Sequence, residues 1–182
     1  MIRIRNFAEN QYFEIGLKAI VDTMLNTETI SHDSYLVIID KAKPLKGLLE
    51  LRHDVSMKNA SVVVFSDDMS ADFVATITGN AFHVEVLPER VSLRMLLSVL
   101  KYPGKSRKRR MICFSYRELS LLKAFEKYHC QSLTIISYKT NQSIKTLSSH
   151  KRNIMAKIGA SSSGFLFQLL NDPCFSDILT LL

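Results

Sequence analysis

The chain has 182 residues, of which 47% are hydrophobic, so it can bury the core of one medium domain or two small ones. It contains no run of 18 apolar residues and its first residues lack the apolar stretch of a secretion signal, which predicts a cytoplasmic protein without a membrane span. The three cysteines are scattered, with no CxxC or Cys/His spacing, which predicts reduced thiols and no metal site.

The net charge of +7 is distributed unevenly along the chain. Residues 1–100 carry −3, residues 101–160 carry +12 and residues 161–182 carry −2. The basic segment therefore predicts a polyanionic partner for that part of the chain alone. Within it, the stretch "KYPGKSRKRR" at 101–110 predicts a linker between two domains, 1–100 and 111–182. Such a linker could be a solvated tether or an arm that contacts phosphates.

The first half alternates strand and helix patterns. Strands are expected at 2–7, 35–40, 61–66 and 82–87, and helices at 11–25, between the later strands and at 91–102. The runs "YLVIID" and "SVVVFS" are continuously apolar, as in strands that are covered on both faces. This order predicts an α/β domain with a parallel sheet between two layers of helices.

The second half has helical patterns throughout. Ser115 and Glu118 form the sequence of a capping box, in which each side chain satisfies a free amide at the start of a helix. Further helices are expected at about 133–139, 143–158 and 162–170, the last capped by a serine of "SSS". The aliphatic tail at 175–182 could pack on its own domain or form an interface.

The helix at 143–158 separates its residues by chemistry. A period of 3.6 residues puts four apolar residues on one side: Ile144, Leu147, Ile154 and Ile158. The same period puts small, polar and basic residues on the other side: Lys145, Ser148, Ser149, Arg152 and Ala156. Serine and arginine can bind base edges in the major groove, and residues 127–171 contain no acid that would repel DNA. The alternative is an ordinary amphipathic helix with a solvated face.

Residues 114–160, above all "IKTLSSHKRNIMAKIGA", resemble the helix-turn-helix domain of the LuxR/FixJ/NarL regulator family. The family opens with a Thr/Ser-Pro-Arg-Glu stretch, which "SYRE" resembles. The positions that match its final motif are Lys145, Thr146, Leu147, His150, Asn153, Ile154, Lys157 and Ile158. The resemblance implies an all-α four-helix domain that binds double-stranded promoter DNA as a dimer.

Carried over to this chain, the resemblance makes 143–158 the recognition helix. It puts Ser148, Ser149 and Arg152 at base-facing positions and Lys145 and Lys151 where phosphate contacts are expected. Ser143 and Thr146, at the start of the helix, complete the implied DNA-binding set, and Thr146 and His150 are expected chiefly to buttress the helix. In the last helix, the residues at the implied dimer interface are Phe165, Leu166 and Leu169.

Residues 1–100 resemble a degenerate form of the phosphorylatable receiver that often accompanies this domain. The resemblance puts Asp40 at the phospho-acceptor position and Ser66 at the switch hydroxyl. Only Glu9 remains of the acidic pair that would hold Mg²⁺, and Pro88 and Glu89 stand where a lysine should offset the phosphoryl charge. We therefore expect no phosphorylation and no cofactor. The segment before "YLVIID" is too short for a strand and a helix, which predicts the loss of one edge strand and leaves about four strands.

Four functions remain to be compared. The first is a sequence-specific transcription regulator that acts as a homodimer, with RNA polymerase as a further partner. The second is an auxiliary subunit that binds DNA poorly alone and forms a heterodimer with a full response regulator, as the similarity to short enteric regulators of capsule synthesis and acid resistance implies. The third, an enzyme, is not expected, because the first half has no glycine-rich phosphate loop, nucleophile–base pair or metal-ligand cluster. The fourth is a protein-interaction module without DNA binding.

Overall fold

A computed structural model describes residues 2–8, 11–27, 33–54, 56, 60–102, 109–129 and 132–182. Its first half alternates strands and helices. They are β1 (Ile2–Asn6), α1 (Gln11–Thr27), β2 (Ser34–Ile38), α2 (Pro44–His53), β3 (Ser61–Phe65), α3 (Ala71–Ile77), β4 (His83–Leu87) and α4 (Leu93–Lys101). The strands pair in the order β1-β2-β3-β4 and all pairs are parallel.

The sheet is covered by helices on both faces. Alternate residues such as Leu36 and Val63 pack with α1 and α4, whereas Val37 and Val64 pack with α2 and α3. This two-sided burial explains why β2 and β3 are continuously apolar. The prediction of a four-stranded parallel sheet in a receiver-like α/β fold is confirmed. A receiver has the strand order 2-1-3-4-5, so the loss of its second strand leaves four strands in consecutive order, as observed here.

Two arginines lie on the outer strand β1, on the side of the sheet that faces α2. Arg3 stacks on the ring of Tyr35 and donates a hydrogen bond to its hydroxyl at 2.9 Å. Arg5 pairs with Asp54 at 3.2 Å. Long arginine stems can cover apolar surface while their charged ends stay in water. These side chains therefore help to cover the edge of the truncated sheet.

The second half is helical. Its elements are α5 (Tyr116–Tyr128), α6 (Leu133–Thr140), α7 (Ile144–Ile158), α8 (Ser163–Leu170) and α9 (Phe175–Leu179). The predicted capping box at Ser115 and Glu118 is present, and Ser162 caps α8 as expected. The tail packs on its own chain, because Phe175 and Ile178 in α9 are buried.

The two halves share one apolar cluster, which joins the α2–α3 side of the sheet to α5–α9. The predicted linker falls mostly at 103–108, outside the described residues, so the predicted domain boundaries stay a prediction. At its end, Arg109 does not lie free in solvent but pairs with Glu85 at 2.6 Å and donates to the carbonyl oxygen of Val84. Within the described ranges, no helix is both long enough and apolar enough to cross a membrane.

Candidate nucleic-acid interface

Helix α7 has a well-defined start. Ser143 is its N-cap, and the Ser143 hydroxyl oxygen accepts a hydrogen bond from the Thr146 amide at 3.1 Å. The two hydroxyls of Ser143 and Thr146 lie 2.8 Å apart. Serine is a preferred N-cap because its oxygen satisfies an amide that has no partner within the helix. The structure therefore gives Ser143 and Thr146 a capping contact at the end of α7 where anions are favoured.

The inward face of α7 is narrower than predicted. Leu147, Ile154 and Ile158 are buried against the neighbouring helices. Ile144 lies on the same side of the helix, as its spacing predicts, but it is 48% exposed. The physical reason is its place in the first turn, because the buried stripe of α7 begins only at Leu147.

The outward face of α7 carries an exposed stripe at helical spacing. We call this stripe the polar face; its exposed members are Lys145, Ser149, Arg152, Asn153 and Ala156. Ser148 is half-buried at its edge. The predicted residues Lys145, Ser149 and Arg152 thus share one open surface. The sequence analysis named Asn153 only as a position of the family motif and not as a DNA-binding residue. Its spacing of four residues from Ser149 could have placed it on this face.

Lys151 takes a different direction from Lys145 and Arg152. It is half-buried, and its ammonium lies 4.7 Å from the centre of the Phe167 ring in α8. Burial lowers the pKa of Lys151, because a charged amine loses hydration there. The predicted phosphate contact of Lys151 would require the side chain to leave this ring, and it stays a prediction.

A shallow groove lies beside the start of α7, where the first turn of α5 comes close. Its lining residues are Tyr116, Arg117, Ser120, Gln142, Ser143 and Thr146. Both helices present their N-terminal ends in this region, which carry partial positive charge. Tyr116 and Arg117 were not predicted as site residues. Their place after the capping-box serine indicated the first turn of a helix, but nothing in the sequence showed that this turn lies next to Ser143.

An ion pair fixes the other end of α7 to α5. The ammonium of Lys157 lies 2.6 Å from the carboxylate of Glu118 and 2.9 Å from the carbonyl oxygen of Cys113. Glu118 also accepts a hydrogen bond from the Ser115 amide at 2.7 Å. Burial raises the pKa of Glu118, but the hydrogen bonds from Lys157 and Ser115 outweigh this effect, so the pKa is lowered overall. The capping box of α5 is thereby tied to the C-terminal end of α7.

The residues at the implied dimer interface lie inside the protein. Phe165, Leu166 and Leu169 are only 5%, 1% and 1% exposed and belong to the shared apolar cluster. Side chains with so little exposed area cannot form a surface between two copies in this conformation, so we correct the assignment. Helical spacing showed that they share a face, but it could not show that α5 and α9 cover that face. Gln168 is the exposed large side chain of α8.

At the candidate phosphorylation site in the first half, the lysine that follows Asp40 is already paired with an acid. Asp40 is half-buried just after β2 and accepts a hydrogen bond from the Ala42 amide at 2.8 Å. Lys41 pairs with Glu89 at 2.9 Å, and this hydrogen bond raises the pKa of Lys41. Glu9, the expected metal ligand, lies outside the described residues. The nearby lysine is therefore engaged by the glutamate that stands where a receiver has its own lysine.

The fold is similar to that of a protein solved in complex with promoter DNA. The structure of RcsB from Salmonella enterica serovar Typhimurium, bound to promoter rprA in the presence of phosphomimetic BeF3⁻, aligns with a TM-score of 0.54 and 15% identity over 94% of this chain and 98% of that chain. The response regulator ChrA of a heme-sensing two-component system aligns over 99% and 98% of the two chains, at 14% identity and a TM-score of only 0.34. No protein-family model and no curated protein matches the sequence. At this identity the likeness to RcsB concerns the fold: the chain has a response-regulator-like architecture, built from a receiver-like half and a helical half.

Proposed function

We propose that this chain is a sequence-specific DNA-binding transcription regulator that acts as a dimer, without phosphorylation and without enzymatic activity. The observation that carries the proposal is the polar face of α7. This face is exposed and carries two basic side chains, Lys145 and Arg152. It belongs to a stretch, 127–171, that contains no aspartate or glutamate. An exposed helix with an ordinary solvated face would more often mix acids with its lysines.

The chemistry of the polar face fits the major groove. Arg152 can bind guanine in a bidentate manner and Asn153 can do the same with adenine. The small residues Ser149 and Ala156 allow the helix backbone to come close to the bases. An α-helix with its side chains is about 10–12 Å in diameter, which matches a major groove about 12 Å wide. The solved neighbour RcsB is itself bound to promoter DNA, which makes promoter DNA the duplex we propose for this chain.

Phosphate contacts would fix the helix in the groove. The ends of α5 and α7 meet at the groove lined by Tyr116, Arg117 and Thr146, and Lys145 is exposed nearby in the first turn of α7. Helix N-termini and basic side chains are the groups that usually bind backbone phosphates. This arrangement supports DNA over an acidic protein surface as the polyanion. RNA polymerase is proposed as a further partner only by analogy with promoter-bound regulators.

Lys145→Ala should weaken binding to all DNA sequences alike and reduce the salt dependence by about one phosphate contact. The reason is that a lysine at a phosphate carries no sequence information. Fluorescence anisotropy with a preferred and a scrambled duplex, over a range of salt concentrations, measures both quantities. Lys18→Ala is the matched control, because Lys18 is an exposed lysine on α1 that pairs with Glu14 at the surface. Equal salt slopes for wild type and Lys145→Ala would remove Lys145 from the interface.

Asp40→Ala should leave DNA affinity and promoter activity nearly unchanged. Asp40 caps a local turn, and the neighbouring Lys41 is already paired with Glu89. A phosphoryl group on Asp40 would have to compete with Glu89 for the positive charge of Lys41. The check is a reporter assay together with DNA affinity before and after incubation with acetyl phosphate. Lost activity in a folded Asp40→Ala protein, or a gain with acetyl phosphate in wild type alone, would show that the aspartate is used.

One observation favours the auxiliary subunit as the second candidate. The three α8 residues that the resemblance assigns to dimerisation are buried, so the structure offers no exposed apolar α8 face built from them. A chain that does not pair with itself could still contribute one DNA-binding half to a heterodimer with a full response regulator. A mixed sample that binds an asymmetric site tightly, with neither protein binding alone, would favour this candidate over the homodimer.

A further inference from the structure

The end of the recognition helix lies against the first half of the chain. The Ser70 amide donates a hydrogen bond to the carbonyl oxygen of Ile158 at 2.6 Å, and the Ser70 hydroxyl donates to the carbonyl oxygen of Lys157 at 3.0 Å. The same hydroxyl oxygen accepts from the Phe73 amide at 3.1 Å and so caps α3. Ser70 therefore joins the start of α3 to the end of α7.

This contact satisfies groups that an α-helix leaves free. The last four carbonyl oxygens of a helix have no partner within it, and those of α7 at Lys157 and Ile158 are bound by Ser70 instead. The negative end of α7 also meets the positive end of α3, which is a favourable arrangement of helix dipoles. Two helices from different halves are thus aligned by one serine.

Gly159 allows the close approach. It ends α7 with a φ of +91°, and a Cβ atom at this position would lie 2.4 Å from the Ser70 nitrogen. No side chain could occupy that space without moving the two helices apart. Both the backbone conformation and the contact therefore require glycine.

Other contacts surround this junction and reinforce it. Asp172 is 3% exposed and accepts a hydrogen bond from the Leu45 amide at 2.9 Å. The Ile112 amide donates to the Thr76 hydroxyl at 2.8 Å, and the Ser161 hydroxyl donates to Asp68. The junction thus belongs to a larger interface that holds α7 at one angle to the sheet.

The docked arrangement leaves the polar face open. Contact is made through the C-terminal end of α7, whereas Lys145, Ser149 and Arg152 remain exposed along its side. The first half therefore does not cover the polar face. It contacts α7 at the C-terminal end of the helix.

We propose that Ser70, on the receiver-like half, is a positioning residue for DNA recognition, which sets the angle of α7 by binding its terminal carbonyl oxygens across Gly159. The inference rests on the proposed function and deepens it: sequence preference depends on a residue outside the helix-turn-helix half. A helix held at a wrong angle still meets phosphates, but it no longer aligns its side chains with base edges.

The test compares matched variants of the full chain by the ratio of affinities for a selected and a scrambled duplex. Ser70→Ala removes one cap and the contact to Lys157, whereas Ser92→Ala removes the equivalent cap of α4, which binds the Met95 amide at 3.3 Å. Gly159→Ala forces the two halves apart, whereas Gly79→Ala introduces similar backbone strain at φ +70° with its nearest neighbour at 3.5 Å. Thermal melting checks that each variant folds.

We expect Ser70→Ala to lower the affinity ratio on the order of fivefold, since one net hydrogen bond is lost, and Gly159→Ala to lower it at least as much, with the salt slope unchanged in both variants. Ser70→Thr should restore the ratio, and Ser92→Ala and Gly79→Ala should keep it. Hydrogen exchange should show a protected Ser70 amide in wild type and loss of that protection in Gly159→Ala. Equal ratios in all folded variants would overturn the positioning role alone. A wild-type chain with no sequence preference would overturn the proposed function and the positioning role together.

Discussion

Lys157→Ala should destabilise the folded chain by about 3 kcal/mol, the lower end of the cost of leaving a buried charge without its partner. The Glu118 side chain is only 4% exposed, and its carboxylate lies 2.6 Å from the Lys157 ammonium. The expected loss of stability is at the lower end because Lys157 is 34% exposed, so water can partly replace its ammonium beside Glu118. Urea denaturation followed by circular dichroism at neutral pH measures the loss.

The pH dependence of this variant provides a second readout. The pKa of Glu118 in the folded chain is below its ordinary value of 4.5. Burial raises this pKa, but the hydrogen bonds from Lys157 and Ser115 lower it by more than burial raises it. The unfolded chain then binds more protons in acid, so this contribution to stability is present above the ordinary pKa and is lost as the pH falls through the folded value. In Lys157→Ala the hydrogen bond and charge of Lys157 no longer lower the pKa of Glu118, so the stability of the variant should fall less steeply than that of wild type as the pH is lowered.

Lys123→Ala is the matched control for this prediction, because Lys123 is an exposed lysine on the same helix as Glu118. It should change the free energy of unfolding by less than about 0.5 kcal/mol. If Lys157→Ala and Lys123→Ala unfold at the same urea concentration, the ion pair between α5 and α7 contributes nothing to stability.

Arg152→Ala should weaken binding to the preferred duplex by about 1–3 kcal/mol and reduce the difference between preferred and scrambled sequences. Arg152 is exposed at the middle of the polar face, between Ser149 and Asn153 of the same stripe. An arginine there can bind guanine through two parallel hydrogen bonds, which the scrambled sequence does not offer in register. Selection from a random duplex library, before and after the substitution, shows which base position loses its preference.

Arg94→Ala is the control for charge alone. Arg94 is an exposed arginine on α4, on the face of the sheet opposite to the helical half. It should leave both affinity and preference unchanged. Should Arg152→Ala lose affinity equally for every sequence, Arg152 would be a phosphate contact and the base-contacting assignment would be wrong.

The sequence predicted the first half well because its signals are local. Continuous apolar runs such as 35–40 and 61–66 are typical of strands buried on both faces, and the short segment before β2 allowed the loss of an edge strand to be predicted. Helix starts were equally clear, since Ser115 and Ser162 have the side chains that satisfy free amides. Each of these features depends on neighbours within a few residues.

Long-range packing could not be predicted in the same way. Helical spacing grouped Phe165 with Leu166 and Leu169, but it could not distinguish a face that packs inward from a face that binds a second copy. The contact of Ser70 with the end of α7 joins residues 87 positions apart, and no local pattern marks it. The same limit explains why Tyr116 was missed beside Ser143.

Sedimentation of the purified chain, alone and with a fluorescent duplex library, at low and at moderate salt, tests DNA binding by α7 most directly. We expect a complex that contains two copies of the chain, retains a subset of the sequences, and weakens steeply as the salt concentration is raised. Two related half-sites in the selected sequences would indicate that each copy of the chain puts the polar face of its α7 into the major groove at one half-site. Absence of binding at low salt, or binding that salt does not weaken, would contradict the claim that α7 binds DNA.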